Sequence, residues 1–230
     1  MKSIRYLASS TVAVSLVVLS ATSRAEVVID SFTTPQAASI VIGDRNTADG
    51  PGIIGGERDF VTFLSMSANE AVPRQLQITS LGGGGGDILY DGNDNDPSSS
   101  SFGGMGSIDL TQGGVNDRFR FDFTSASSVP ATLTIDVKNF GVGAGLLVNL
   151  PQTPGILDVP FASFPSTAVF HTVGYINLHF EIHGAGTFTI DRISATVPEP
   201  AAVTLFLTAA MGLGYCRRSG REAIRAIKRT

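Results

Sequence analysis

Between residues 26 and 196 the chain is built of short runs in which apolar and polar side chains alternate. Arg118-Phe119-Arg120-Phe121-Asp122-Phe123 puts three phenylalanines on one side of an extended chain and charges on the other, and Thr132-Leu133-Thr134-Ile135-Asp136-Val137 repeats the pattern. A period of two marks strands with one buried face. The same reading extends to 27–29, 39–42, 59–64, 76–79, 88–90, 107–110, 146–150, 175–183 and 187–195, with clusters of Gly, Pro, Asn and Asp between them. No convincing helix lies between these runs, so crossover βαβ units are excluded. The expected fold is all-β: two antiparallel sheets packed face to face in a jelly-roll-like β-sandwich. The five consecutive glycines at 82–86 lack the Gly-Lys-Ser/Thr ending of a phosphate loop and read as a flexible turn.

Composition agrees with this picture. Charged residues make up only 16% of the 230, while 26 glycines and 11 prolines punctuate the chain, which suits many turns and excludes a coiled coil. Charge is divided by region. The formal net charge is −4, but residues 26–200 hold 7 basic against 19 acidic residues, a formal charge of −12. That segment repels polyanions, so nucleic acid is not an expected partner.

Both ends read as targeting segments. Lys2 and Arg5 precede an apolar run at 12–19 and then Ser23-Arg24-Ala25, the layout of a secretory signal peptide over 1–25, cut after Ala25 by signal peptidase. An uncleaved anchor would need about 20 apolar residues, more than this run supplies. At the other end, Pro198-Glu199-Pro200 is followed by 15 apolar residues at 201–215, then by Arg217 and Arg218 in a basic tail over 216–230. As a helix the apolar stretch spans about 22 Å, a short transmembrane helix against a ~30 Å hydrocarbon core, helped by snorkelling arginines. Basic residues on one side only place the C-terminus in the cytoplasm and the acidic domain outside. Cys216 is the single cysteine, so no disulfide forms within the chain.

The Pro198-Glu199-Pro200 triplet, the apolar helix and the arginine cluster together resemble the PEP-CTERM sorting signal of Gram-negative bacteria that make extracellular polysaccharide. The resemblance covers 197–230. It implies transient inner-membrane anchoring, recognition of the triplet by an exosortase that removes the helix, and delivery to the cell envelope or beyond. The tail after Gly220 is longer than the family's usual few residues, and Ile224 and Ile227, one helical turn apart among cations, suit the inner leaflet. Further upstream, Ile29-Asp30-Ser31-Phe32, Gly55-Gly56-Glu57-Arg58-Asp59, Tyr90-Asp91-Gly92 and Gly106-Ser107-Ile108-Asp109-Leu110-Thr111 resemble an exported domain that recurs ahead of such tails. Residues 161–164 and 173–193 resemble the last strands of galactose-binding-like jelly rolls. Neither resemblance brings a catalytic residue with it.

Candidate chemistry concentrates in two places. Tyr175, Asn177, His179, Glu181 and His183 share one face of one strand. They read as the wet face of a sheet, as metal ligands in a His-x-Glu-x-His pattern joined by His171, or as a shallow polar groove for carbohydrate. With no Trp, and with the 14 Phe suited to core positions, a strong aromatic platform for sugar is not expected. The loop Asp91-Gly92-Asn93-Asp94-Asn95-Asp96 reads as a solvated turn or as a Ca²⁺ loop, without the EF-hand's Gly and Glu positions. Asp91, Asn93 and Asn95, with Asp30 and Asp191 from the first and last strands, are the candidate calcium ligands. Glu57-Arg58-Asp59 reads as a structural charge cluster. No Gly-x-Ser-x-Gly elbow or recognisable triad is present. The expected function is therefore a non-enzymatic, structural or adhesive envelope protein without a required cofactor. The alternatives are a carbohydrate-binding module for extracellular polysaccharide and, behind it, a polysaccharide hydrolase.

Overall fold

The computed structural model describes residues 26–38, 45–69, 75–98 and 100–197; the expected signal peptide, the sorting segment from Pro198 onward and the strand expected at 39–42 lie outside them. Ten strands follow in order: β1 (Val27–Asp30), β2 (Arg45–Asp49), β3 (Glu57–Asn69), β4 (Leu76–Tyr90), β5 (Arg118–Ser125), β6 (Ala131–Asn139), β7 (Val142–Asn149), β8 (Gly155–Pro160), β9 (Tyr175–Ile182) and β10 (Gly186–Thr196). Among the described residues the only helices are three short 3₁₀ turns, Ile54–Gly56, Phe161–Ser163 and Ala168–His171, and no helix is long and apolar enough to cross a membrane.

Every strand pairing is antiparallel, and the order β7-β6-β9-β4-β10-β5-β8 is one continuous sheet, with β1 added on β10 and the β2–β3 pair on β4. This corrects the expectation of two separate sheets. The cause is β4. Its first half pairs with β10 (Leu76 opposite Ile190) and its second half with β9 (Tyr90 opposite Ile176), so one strand passes from one layer to the other. The glycine run lies between these halves, inside a strand and not in a free turn. Gly83 (φ 103°) and Gly84 (φ 152°) take left-handed backbone conformations that side chains resist, which lets the strand change partners without breaking. Beside it, β3 shifts register between Leu64 and Met66 to follow the bend.

The alternation seen in sequence becomes one core. Phe119, Phe121 and Phe123 of β5, Leu133, Ile135 and Val137 of β6, and Ile176, Leu178, Phe180 and Ile182 of β9 are all buried, with polar partners between them facing outward. Phe161 and Phe170 stack at 4.0 Å and both meet Phe119 edge-on, closing one end of the core. Each such ring contributes about 1.5–3 kcal/mol by leaving water. Residues 107–110, expected as a strand, lie in a loop whose one isolated bridge, Ile108 to Val173, falls outside the strands. Neither β2 nor β8 was signalled. Arg45-Asn46-Thr47-Ala48-Asp49 has no apolar face, and β8 is a short strand at the end of the order, bounded by Gly and Pro.

A buried ion pair, Arg58 with Asp30, lies within this core. Arg58 is fully buried and gives Nη1–H to Asp30 Oδ2 (2.8 Å), Nε–H to Gln36 Oε1 (2.6 Å) and Nη2–H to the Thr34 carbonyl (2.8 Å). Its guanidinium lies over the rings of Phe32 (5.3 Å) and Phe60 (5.0 Å). Asp30 also accepts from the Phe32 N–H (2.8 Å) and the Tyr90 hydroxyl (3.0 Å). Burial pushes the Asp30 carboxyl up, and Arg58 with these donors pulls it back. Replacing Arg58 by Ala leaves Asp30 buried without its counter-charge and should cost about 3–5 kcal/mol. Tyr90→Phe, which removes one hydrogen bond to a charged group, should cost roughly 1.5–3 kcal/mol. Urea unfolding of both variants measures the difference.

Candidate functional site

The outer face of β9, the side turned away from the core, carries the polar residues singled out in sequence. Tyr175, Asn177, His179 and Glu181 alternate with the buried Ile176, Leu178 and Phe180, and His183 follows just beyond the strand. Register sets their neighbours: His179 stands between Asp87 of β4 and Thr134 of β6, and Asn177 between Leu89 and Asp136. Asp87 accepts from His179 Nδ1–H (2.9 Å) and from Asn177 Nδ2–H (3.1 Å). The Asp87 contact raises the His179 pKa above its ordinary value.

Opposite Glu181, β4 presents Gly85, where a Cβ would come within 3.1 Å of the His179 Cε1 and 3.0 Å of the Phe180 carbonyl. The glycine run thus removes a row of side chains from the face and leaves a shallow trough of about 380 Å³, lined by residues 82–85 and by His179, Glu181, Ile182 and His183. Glu181 and His183, 53% and 48% exposed, stand at its rim with Glu181 Oε1 3.8 Å from His183 Nδ1.

At the other end of β9, Tyr175 is buried under Phe102, ring to ring at 5.3 Å and edge-on, while Lys138 Nζ reaches both rings (5.0 and 5.4 Å). Burial first, then Asp87, Asp136 and Asp91, pushes the Tyr175 hydroxyl pKa up. Phe102 (45% exposed) and Phe140 (80% exposed) stand out to solvent, joined by a hydrogen bond from the Phe140 N–H to the Phe102 carbonyl (3.3 Å). Sequence reasoning assigned the phenylalanines to the core. Phe102 sits in a loop and Phe140 at the β6–β7 turn, outside any alternating run, which is the signal that separates them from the rest.

The same outer face continues across β4 to β3, and there four carboxylates meet. Ligand atoms of Glu57, Asp59, Asp91 and Asp94 all lie within 4.8 Å of one another. Glu57 and Asp59 flank Arg58 on β3, so the strand's alternation sends Arg58 inward and both acids outward. Asp59 pairs with Leu89, which puts Asp91, two residues further, beside Glu57 and Asp59. Burial raises the Glu57 carboxyl to about 7 and Asp59 to about 6, and raises Asp91 as well; Asp49, Asp94 and Asp96 add repulsion.

Of the five expected calcium ligands, Asp91 alone belongs to this group. Asp30 is engaged with Arg58, and Asp191 lies on β10. Asn95 donates Nδ2–H to Asn93 Oδ1 (3.1 Å). Nor do His179, Glu181, His183 and His171 assemble as metal ligands. His171 Nδ1 lies 2.9 Å from the Thr111 hydroxyl and 3.8 Å from Asp109, away from β9. Glu57 and Asp59 were visible in sequence only as partners of Arg58. Their Glu-x-Asp spacing on a strand, with a basic residue between, was the available signal that they share a face without that base.

No protein-family model matches the chain, and no curated protein matches it. Among solved structures it is similar to the family 11 carbohydrate-binding module of the cellulosomal cellulase Lic26A-Cel5E of Clostridium thermocellum, at 15% identity over 76% of this chain and 95% of that one, TM-score 0.39. The solution structure of CtCBM11 aligns at 14% identity over 77% and 98%, TM-score 0.43. PfGH50B aligns at 10% identity over 62% of this chain and 23% of its own, TM-score 0.40. All three scores lie below 0.5, a partial likeness of shape that says nothing of ligand or activity.

The raised carboxyls set a pH dependence. A group whose folded pKa lies above its unfolded value holds a proton in the folded state that the unfolded chain has released, so folding weakens as pH rises through that interval. In chelator-treated buffer, stability should fall from about pH 4 to about pH 7, the window between ordinary carboxyl values and Glu57's. Glu57→Gln, which keeps an acceptor for the Asn95 N–H, should flatten that slope in urea titrations at successive pH values.

Proposed function

We propose that this is an exported, non-enzymatic protein that binds neutral polysaccharide outside the cell through the outer face of β9. The observation that carries the reading is the trough itself. A run of glycines opposite a row of polar side chains makes a concave strip, bounded by an imidazole, a carboxylate and a second imidazole, on an otherwise regular sheet. Its volume lies within the range of small-ligand clefts. Donors and acceptors held by a rigid strand suit sugar hydroxyls, and Phe102 and Phe140 offer apolar surface at the far end. The segment's charge of −12 favours neutral over polyanionic glycans.

Binding fits this face better than turnover does. Glu181 is the carboxylate that lines the trough, whereas Asp87 in the adjoining row is committed to His179 and Asn177. Glycoside hydrolysis asks for two carboxyls on either side of a bond. The sorting reading of the C-terminal segment supports the same setting. A transient anchor, cut by an exosortase at Pro198-Glu199-Pro200, would release the domain into a polysaccharide-rich envelope.

Two experiments test this reading. In affinity electrophoresis through gels of neutral polysaccharide, Glu181→Ala with His183→Ala should lose retardation about tenfold or more, roughly 1.4 kcal/mol of binding. Because both side chains are about half exposed, stability should change by less than ~0.5 kcal/mol. Equal retardation of variant and parent would exclude this face. For sorting, the intact mass of the chain expressed with exosortase should show loss of the segment after the triplet, and Glu199→Ala should keep it; an uncleaved parent would make the segment a plain anchor.

A further inference from the structure

We propose that Glu57, Asp59, Asp91 and Asp94 form a binding site for one calcium ion. What sets these acids apart from an ordinary acidic cluster is how their oxygens are used. Glu57 and Asp59 are 0% exposed and Asp91 is 1% exposed. In each of the three, one oxygen is held by a donor of the protein. Glu57 Oε2 accepts from the Asn95 N–H (2.9 Å), Asp59 Oδ1 from the Thr47 hydroxyl (2.7 Å) and Asp91 Oδ2 from the Ser101 N–H (2.9 Å). The second oxygen of each, Glu57 Oε1, Asp59 Oδ2 and Asp91 Oδ1, is buried and has no hydrogen-bond partner.

An orphaned buried acceptor costs about 1–3 kcal/mol, more when charged, and three of them on carboxylates of one cluster call for a common partner. The neighbouring base does not serve: Arg58 sends Nε, Nη1 and Nη2 to Gln36, Asp30 and Thr34 on the opposite face. The four carboxylates bring oxygens within 4.8 Å of one another, so one cation among them can serve the orphaned acceptors together, while the donors on the other oxygens steady each carboxylate. Asp94, exposed and steadied by the Asp96 N–H (2.9 Å), closes the group on the solvent side and gives the ion a way in.

The donor set selects the ion. Four carboxylates without His or Cys suit a hard cation. Mg²⁺ keeps most of its water and seeks strict octahedral geometry, whereas Ca²⁺ accepts six to eight oxygens in a looser shell, as carboxylates from separate strands and a loop provide. The site also has a structural reach. Asp91 precedes Gly92, whose backbone is so close to Gly104 that a Cβ there would lie 2.3 Å from its carbonyl carbon. An ion on Asp91 and Asp94 therefore fastens the loop that carries Phe102 to the ends of β3 and β4. This inference does not depend on glycan binding.

The test uses the full chain, stripped with chelator and titrated with CaCl₂ or MgCl₂ by calorimetry, with thermal unfolding in parallel. One Ca²⁺ per chain should bind, with a dissociation constant of about 10⁻³ M or tighter. Saturating Ca²⁺ should raise the Tm by about 4 °C or more and Mg²⁺ by much less. Asp94→Asn, at an exposed position, and Glu57→Gln, from the buried side, should each weaken Ca²⁺ binding at least tenfold. No calorimetric binding at millimolar Ca²⁺, equal stabilisation by Mg²⁺, or undiminished binding in both variants would overturn the proposal.

Discussion

A guanidinium buried without exposure has to be held on every side, and Arg58 shows how much of a small domain that requirement organises. Its partners come from the segment after β1 (Thr34, Gln36), from β1 itself (Asp30) and, through Asp30, from the end of β4 (Tyr90), while Phe32 and Phe60 cover its faces. Such a network is costly to desolvate and contributes stability only if every member is satisfied. It therefore fixes the position of β3 against β1 and β4 more narrowly than apolar packing would. The alternation of the strand does the rest. With Arg58 committed inward, Glu57 and Asp59 have to face outward, and the approach of Asp91 follows from the β3–β4 register.

What could be read from sequence was what depends on local alternation. The strands 118–123, 132–137, 175–183 and 187–195 were legible because their apolar residues recur every second position and their partners do not matter to that pattern. The glycine run was misread because Gly normally argues for a turn. Only the pairing of β4 with two different strands reveals that the chain needs extended, left-handed-tolerant residues there. The trough could not have been foreseen for the same reason, since it arises from Gly85 lying opposite Glu181, 96 positions away. The polar face of β9 was legible as a set of residues, but not the division of labour by which Asp87 positions His179 and Asn177. The acid cluster shows the limit most plainly. Asp30 and Asp191 matched it in chemistry, yet Asp30's carboxylate was already needed inside.

The outer face of the β7-β6-β9-β4-β3 half reads as one surface with graded character. At one end stand the carboxylates of β3 and the loop after β4; a small apolar island of Val61, Leu89 and Tyr175 follows; then come Asp87, Asn177 and His179, and finally the glycine-floored trough. The island matters physically. It limits water around Asp59, whose neighbour across the strands is Leu89, and so contributes to the burial that raises its carboxyl. It also seats Tyr175 under Phe102, which joins the loop to the face.

Disulfides are one way to restrain long loops, but Cys216 is the single cysteine and none can form within this chain. The loop from Asp91 to Met105 is nevertheless tied down at several points: Ser101 N–H to Asp91, Gly104 N–H to Ser101, Met105 N–H to Gly174 and Asn95 N–H to Glu57. Two of these four tethers end on carboxylates of the acid cluster. They hold best when those carboxylates are ionised, yet ionising three buried acids together is what their surroundings resist. A counter-ion resolves the conflict, since it keeps the acids charged, strengthens the N–H bonds they accept and links β3, β4 and the loop as a covalent bridge would, but reversibly. The order of the aromatic end of the β9 face then follows the cation content of the surroundings.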